Sequence, residues 1–443
     1  MKEAKILTSG PIFKQIMGLA LPIMATSFIQ MAYTLTDTAW VGRLGSEEVA
    51  AIGTVAIMVW FTAGITLLTK VGAEVTISQA IGIKELDKAR RYASHNFTLS
   101  FILSLLLGSL LFFGATPIIG IFKLSANITT MGVDYLHIIS SAFPFIFSAA
   151  TFTGIYNAAG HSKIPFYISG MGLLLNMLLD PLFIFYLDWG ISGAAIATWL
   201  SQAVVTGLFI YKIHYKDRLL NRFPFFCRLR RIETKQIAKI GIPVASFNAL
   251  FGFANMFLAR LASEQGGHIG MMCLSTGAQI EALTWNTFQG VSTALSTFVA
   301  QNYAAQQFNR ILKAFKLTLK LGAGLGTFTT LLFVFFGEQI FSIFVPEKAA
   351  YTAGGEYLFI LGFSQFFMIL EITMQGMFYG MGRTMPPAIN SISANYLRIP
   401  VALLLISVGW GLHAVWWSIT FCTILKGIIP LVWFWLIRKK LFQ

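Results

Sequence analysis

Charge is scarce in this sequence. Only 11% of its 443 residues are Asp, Glu, Lys or Arg, against about 25% in soluble domains, so a soluble chain of this length would lack the polar side chains to cover its surface. Disorder, coiled coil and collagen fail on the same count. Cysteine is rarer still: Cys227, Cys273 and Cys422 lie far apart with no CxxC spacing, so neither a disulfide nor a structural metal site is expected. The motifs of soluble enzymes are also missing, with no GxxxxGK[ST], HExxH or GxSxG, so no enzyme activity and no organic cofactor are expected. Without a nucleotide-binding loop, any transport by this chain has to draw on an ion gradient rather than on ATP.

Apolar residues are abundant instead, with 56% hydrophobic, 41 Phe and a mean hydropathy of +0.71. This is the composition of an all-α integral membrane protein. A spanning helix takes about 20 apolar residues, and windows of that length predict twelve spans. Six lie near 14–38, 49–78, 92–115, 131–155, 164–186 and 191–214, and six near 236–262, 270–299, 313–337, 353–378, 386–408 and 412–437. The first stretch is too long for a signal-peptide core and has no clear cleavage site, so it is expected to remain in the mature protein.

The formal net charge of +14 acquires a meaning once it is located. Of the 32 Lys and Arg, 25 fall on the N-terminus, the even-numbered connections and the C-terminus, Lys2, Arg218, Lys439 and Lys440 among them. Four (Arg43, Lys123, Arg260 and Lys348) fall on odd connections, and Lys70, Arg398 and Lys426 lie within spans. Positive charge is retained on the cytoplasmic side during insertion. Both termini are therefore expected there, in a bacterial-type cytoplasmic membrane, with the charge marking topology and touching membrane lipid rather than nucleic acid.

The one long basic connection divides the chain into an N-terminal bundle over 1–214, a cytoplasmic linker over 215–235 and a C-terminal bundle over 236–443. The two bundles repeat. Pro22 matches Pro243, Gly45 matches Gly266 and Trp189-Gly190 matches Trp410-Gly411 at a spacing of 221; Gln79 matches Gln301, Gly160 matches Gly382 and Pro165 matches Pro387 at 222. Six spans per half is an even number, so both halves enter from the same side and are related by a pseudo-twofold axis along the membrane normal, as in alternating-access transporters.

A carboxylate at the centre of a span costs about 2.5 to 3.5 kcal/mol on insertion scales, so each one calls for an explanation. Gln30, Tyr33 and Asp37 fall at i, i+3 and i+7 of the first span and form a polar face suited to line a cavity. Asn176 and Asp180 share a face of the fifth span, and Pro181 cannot donate its backbone hydrogen bond, which leaves carbonyls free near an acid and an amide. That donor set suits Na+ or a shared proton; Thr198 adds a hydroxyl and Tyr135 a phenol. Asp37 aligns with Leu258 and Asp180 with Val401 or Ala402, so the second half copies neither acid. Lys70 and Glu74, at i and i+4, are expected to bridge each other, while Glu281 and Glu371 either pair with Arg398 or carry protons.

The run from Pro22 to Asp37, continuing as Thr38-Ala39-Trp40-Val41-Gly42-Arg43-Leu44-Gly45, the Gln-bearing helix ends at Gln79 and Gln301, and the six-plus-six repeat resemble the multidrug and toxic compound extrusion (MATE) transporters over essentially the whole chain. The seventh span, from Pro243 to Phe251, lacks the acid of the NorM-like branch, and Asn176, Asp180 and Thr198 resemble the DinF-like branch instead. This resemblance implies an H+ or Na+ site made by Asp37, Asn176, Asp180 and Thr198 with Tyr135 nearby, a bend at Pro22, and a substrate wall at Gln30 and Tyr33, to which Met31 and Asn157 are added. Glu371 lies about one turn from the tenth-span acid of the NorM-like branch. The function expected is cation-coupled antiport by alternating access, exporting amphipathic, often cationic, organic molecules from a monomer. Its rivals are a flippase for lipid-linked sugars, which would want more inward-facing arginines, and a receptor or scaffold that moves nothing.

Overall fold

The computed structural model describes residues 3–217 and 219–441. Lys2 and Arg218, and the side chains of Thr38, Lys439 and Lys440, lie outside what it describes. The described chain is helical and contains no strand. The long helices are α1 (Ile12–Val41), α2 (Ser46–Gly82) and α3 (Leu86–Phe113), then, after the short α4 (Ala115–Gly120), α5 (Ala126–Ala158), α6 (Lys163–Pro181) and α7 (Gly190–Tyr211). They continue as α8 (Arg231–Ala304), α9 (Phe308–Phe344), α10 (Lys348–Gly380), α11 (Met385–Ser407) and α12 (Leu412–Leu441).

Among the described residues eleven helices are long and apolar enough to cross a membrane. One of them, α8, has 74 residues and would extend about 111 Å if straight, more than three times a hydrocarbon core of about 30 Å. It is not straight. Gly267 leaves the helical region with φ 57° and ψ −140°, and a Cβ on Gly270 would fall 2.2 Å from the carbonyl oxygen of Ala262. The chain therefore doubles back between the seventh and eighth predicted spans, which makes twelve crossings.

The contacts divide into two compact units, residues 1–9 with 21–245 and residues 10–20 with 246–443. Both divisions run through a helix beside a proline, Pro22 in α1 and Pro243 in α8. In the first unit, the Lys5 N–H donates to the Ala159 carbonyl at 2.9 Å, and Gly241 at the start of α8 lies against the backbone of Leu68. In the second, Arg310 holds the entry to α1, donating to the Gly10 carbonyl at 3.0 Å and to Gln15 Oε1 at 3.2 Å. Helical dihedrals run unbroken through Pro22, whose carbonyl accepts from Thr26 Oγ1 at 2.8 Å.

Each unit is organised around one deeply buried helix, α5 in the first and α10 in the second. Contact without intervening side chains makes this possible. A Cβ on Gly154 of α5 would lie 2.6 Å from the Lys70 carbonyl of α2; 222 residues on, a Cβ on Gly376 of α10 would lie 2.5 Å from the Ser292 carbonyl of α8. Small residues of this kind let apolar helices approach where lipid offers no hydrophobic drive. The repeat extends to the turns: Gly160 and Gly382 have φ of 77° and 73°, and Gly190 and Gly411 have φ of 50° and 53°, a region that L side chains avoid.

These contacts predict that Gly154→Val and Gly376→Val each lower stability in detergent by about 1 to 3 kcal/mol or more through overpacking. Gly53→Val, where a Cβ would meet nothing within 4 Å, serves as the control in thermal unfolding and is expected to leave the midpoint nearly unchanged.

Candidate cation site

Four helices of the first unit deliver polar groups to one buried cluster. Helix α1 carries Tyr33 and Asp37, α5 carries Tyr135, α6 carries Asn176 and Asp180, and α7 carries Thr198. Gly172 of α6 lies against Val205 of α7, and the antiparallel run from that contact brings Asn176 level with Ser201 and Asp180 level with Thr198. Asn176 and Asp180 are fully buried, and Asn176 Nδ2 donates to Asp180 Oδ1 at 3.1 Å. The charge of Asp37 acts directly on Asp180, and both acids act on the phenols of Tyr33 and Tyr135. The Tyr33 hydroxyl sits beside Thr198 and Gln202 without a well-formed hydrogen bond to either.

Two features set this cluster apart chemically. Asp37 Oδ1, Asp180 Oδ2, Asn176 Oδ1, the Tyr33 hydroxyl and the Ser201 hydroxyl are all buried without a hydrogen-bond partner, whereas buried polar atoms are nearly always paired. Three of those five belong to Asp37, Asn176 and Asp180, which the sequence reading assigned to a cation site; Tyr33 was expected on the substrate wall. Moreover, among the described residues the groups that act on Asp37 and Asp180 include no lysine or arginine. Arg43, on the connection after α1, stacks over Trp40 with its guanidinium carbon 4.6 Å from the ring centroid. Two neighbouring acids and several unpaired oxygens, with no lysine or arginine acting on the acids among the described residues, are the donor chemistry that a small cation would need.

The structure thus brings together Asp37, Asn176, Asp180, Thr198 and Tyr135, with Tyr33 alongside. Past Pro181 the regular helix gives way to a π-helical turn over Leu182–Tyr186, the kind of local unwinding common at functional sites. Gln30 and Met31 stand on α1 nearly two turns before Asp37, Gln30 exposed and Met31 half-buried. Asn157 is elsewhere. It is 22 residues from Tyr135 on α5, about 33 Å along the axis, and donates from Nδ2 to buried Glu74 Oε1 at 3.0 Å. The Lys70–Glu74 bridge expected from their spacing does not form: that pair is absent from the ion pairs within 4.0 Å among the described residues. Asn157 takes the role assigned to Lys70, whose charge reaches Glu74 from farther off.

The sequence reading missed Ser201 and Gln202. With Thr198 they occupy i, i+3 and i+4 of α7, the spacing of one helix face, and that stripe was the available signal.

The second unit buries acids too, but with their own counter-charges. Glu371 on α10 pairs with Lys426 on α12 at 3.1 Å, and its Oε1 accepts from Ser391 at 2.6 Å and Gln375 at 3.1 Å. Glu281 accepts from Gln365 at 2.7 Å and from the Tyr357 hydroxyl at 3.4 Å. Arg398 donates to Thr423 at 3.0 Å while its charge acts on both acids. Of the alternatives open for Glu371, a pair with Arg398 or proton carriage, the pair is not the one formed: its ion partner is Lys426.

Comparison with known proteins agrees with the repeat. The MatE family model matches residues 22–182 and again 243–404, each match beginning at the repeated proline. A probable multidrug resistance protein NorM of Thermotoga maritima is 27% identical over 439 residues, covering 96% of this chain and 92% of its own. An FAD transporter of Shewanella oneidensis is 27% identical over 372 residues, covering 82% and 80%. The solved structure of a MOP superfamily transporter from Pyrococcus furiosus superposes with a TM-score of 0.92 at 22% identity, covering all of both chains.

A paired buried acid makes its own prediction. Lys426→Met leaves Glu371 without its counter-charge and is expected to cost about 3 to 5 kcal/mol of stability, read as a fall in the thermal midpoint in detergent. Adding Glu371→Gln to that variant is expected to restore most of the loss; no recovery would show that the two side chains are not coupled.

Proposed function

Because the chain belongs to the MatE family, the multidrug and toxic compound extrusion transporters, we propose that it exports amphipathic, often cationic, organic molecules in exchange for H+ or Na+. The protein is a multi-pass membrane protein; we place it in a bacterial-type cytoplasmic membrane with both termini inside, on the strength of the 25 basic residues sorted to that side. The observation that carries the reading is the pair Asp37 and Asp180, buried together with unpaired oxygens and no cationic side chain. A proton converts a carboxylate from acceptor to donor, and a sodium ion supplies charge to several oxygens at once. Either remedy comes from solution.

In the proposed cycle, substrate rests on a wall that includes Gln30, Met31 and Tyr33, with Asn157 meeting it toward the opposite mouth. Cation entry at Asp37, Asn176, Asp180 and Thr198, beside Tyr135, discharges the acids and changes what the outer part of α1 is attracted to. Pro22, beside the point where α1 passes from one compact unit to the other, is the hinge of this cycle, since its missing N–H removes one helix hydrogen bond and eases bending. The cation drives the change only through its different affinity for the two states. No second protein chain enters this cycle, which is written for a monomer.

The test is efflux from proteoliposomes under imposed pH and Na+ gradients, with cationic dyes and, in view of the relative named as an FAD transporter, FAD itself in the panel. Collapse of one gradient is expected to stop export of at least one substrate. Asp37→Asn and Asp180→Asn are each expected to cut gradient-driven export by at least about tenfold, equivalent to 1.4 kcal/mol of lost coupling. Export indifferent to both gradients, or intact in both variants, would overturn the proposal.

A further inference from the structure

The basic connection between α7 and α8 reads as a plain linker by composition, yet it is strapped to α3. Arg90 Nε donates to the Leu220 carbonyl at 2.6 Å, Thr98 Oγ1 donates to the Phe225 carbonyl at 3.2 Å, and the Cys227 N–H donates to Thr98 Oγ1 at 3.1 Å. The Arg230 N–H donates to His95 Nε2 at 3.1 Å. An imidazole that accepts at Nε2 carries its proton on Nδ1, and Nδ1 faces the Arg91 carbonyl at 2.7 Å; the His95 ring thereby bridges α3 and the strap. Phe97 packs against Phe225 and Phe226 with centroids 5.3 and 5.5 Å away.

Between this strap and the start of α3 lies a half-open cavity of about 340 Å³ lined by Arg90, Arg91, Arg228 and Arg230, with Ser94 and His95. Two of the four guanidinium groups have partners, Arg90 with Asp87 at 3.1 Å and Arg91 with Glu233 at 3.6 Å. No carboxylate lies within 4.0 Å of Arg228 or Arg230 among the described residues. Charges that only mark topology have no need of a fixed arrangement. Four arginines along one cavity concentrate positive charge that an anion relieves, and the planar guanidinium fork matches phosphate oxygens. Beside the cavity, Phe226 is 59% exposed and Ile232 is 81% exposed. Apolar side chains that face outward next to arginines are the mark of a membrane surface, where hydrocarbon and headgroup meet.

We propose that this cavity is a binding site for the phosphate headgroup of an anionic phospholipid, with Arg228 and Arg230 as its free cations and Phe226 and Ile232 against the acyl chains. The site holds the lipid on the strap, and so ties the α7–α8 connection to one leaflet.

Native mass spectrometry of the full-length protein in detergent, titrated with phosphatidylglycerol or with phosphatidylcholine, tests this. Phosphatidylglycerol is expected to bind at a far lower mole fraction than phosphatidylcholine. Arg228→Gln with Arg230→Gln, both at exposed positions, is expected to weaken phosphatidylglycerol binding about thirtyfold, the effect of two surface cations. Lys313→Gln with Lys316→Gln removes the same charge from α9 and is expected to change nothing. Equal binding of the two lipids, an unaffected arginine variant, or an equal loss in the lysine variant would each overturn the site. Displacement of phosphatidylglycerol by inorganic phosphate at matching concentration would assign the cavity to a soluble phosphate and overturn the lipid.

Discussion

Asp37, half-buried with one carboxylate oxygen out of contact with solvent, and fully buried Asp180 are neighbouring acids, and among the described residues no lysine or arginine acts on either. Like charges in a medium of low dielectric repel, and removing each from water is costly, so this pair is stable only in company. The chain supplies one amide hydrogen bond, from Asn176 to Asp180, and leaves further oxygens of Asn176, Tyr33 and Ser201 buried without partners. Everything proposed about coupling depends on this imbalance. In the proposed exchange, two acids without a cation of their own are what respond to the ion supply on either side of the membrane.

The second unit shows what the same scaffold does when the imbalance is removed. Its central helix occupies the repeated position, and the glycine contact at Gly376 and Ser292 reproduces that at Gly154 and Lys70. Yet Glu281 and Glu371 lie among Arg398, Lys426, Gln365 and Ser391. Two acids and two bases close their own account there, and removing one partner from such a pair is destabilising where the intact pair is tolerated. The repeat has kept helix packing and turn geometry while the buried chemistry of the halves differs: the second pairs its acids with Lys426 and Arg398, and the first leaves Asp37 and Asp180 without a basic partner among the described residues.

Most of the fold was legible in the sequence because the membrane imposes it. Runs of about 20 apolar residues have few alternatives to spanning helices, and the left-handed glycines at 160, 190, 382 and 411 were visible as repeat matches before their dihedrals were known. The core of the candidate site was legible for a related reason: an acid in an apolar helix is conspicuous. Partnerships were not. Spacing of i and i+4 told that Lys70 was able to reach Glu74, but the buried acid is held by Asn157, 83 residues away. Lys426 and Glu371 are likewise on different helices. Ser201 and Gln202 were overlooked because hydroxyls and amides cost little in a helix and draw no attention singly. Nothing in hydropathy announced that residues 220–230 are strapped to α3, since the strap is made by backbone groups and by His95 and Thr98.

The central claim is that Asp37 and Asp180 hold a cation which substrate displaces. The most direct measurement is made on the purified protein, without a membrane gradient: adding a transported substrate in weakly buffered solution while recording pH and free Na+. The account predicts a saturable release of H+ or of Na+ that tracks substrate binding and is lost when both acids are replaced by Asn. Substrate binding that releases neither ion, or a release that survives the double substitution, would contradict it.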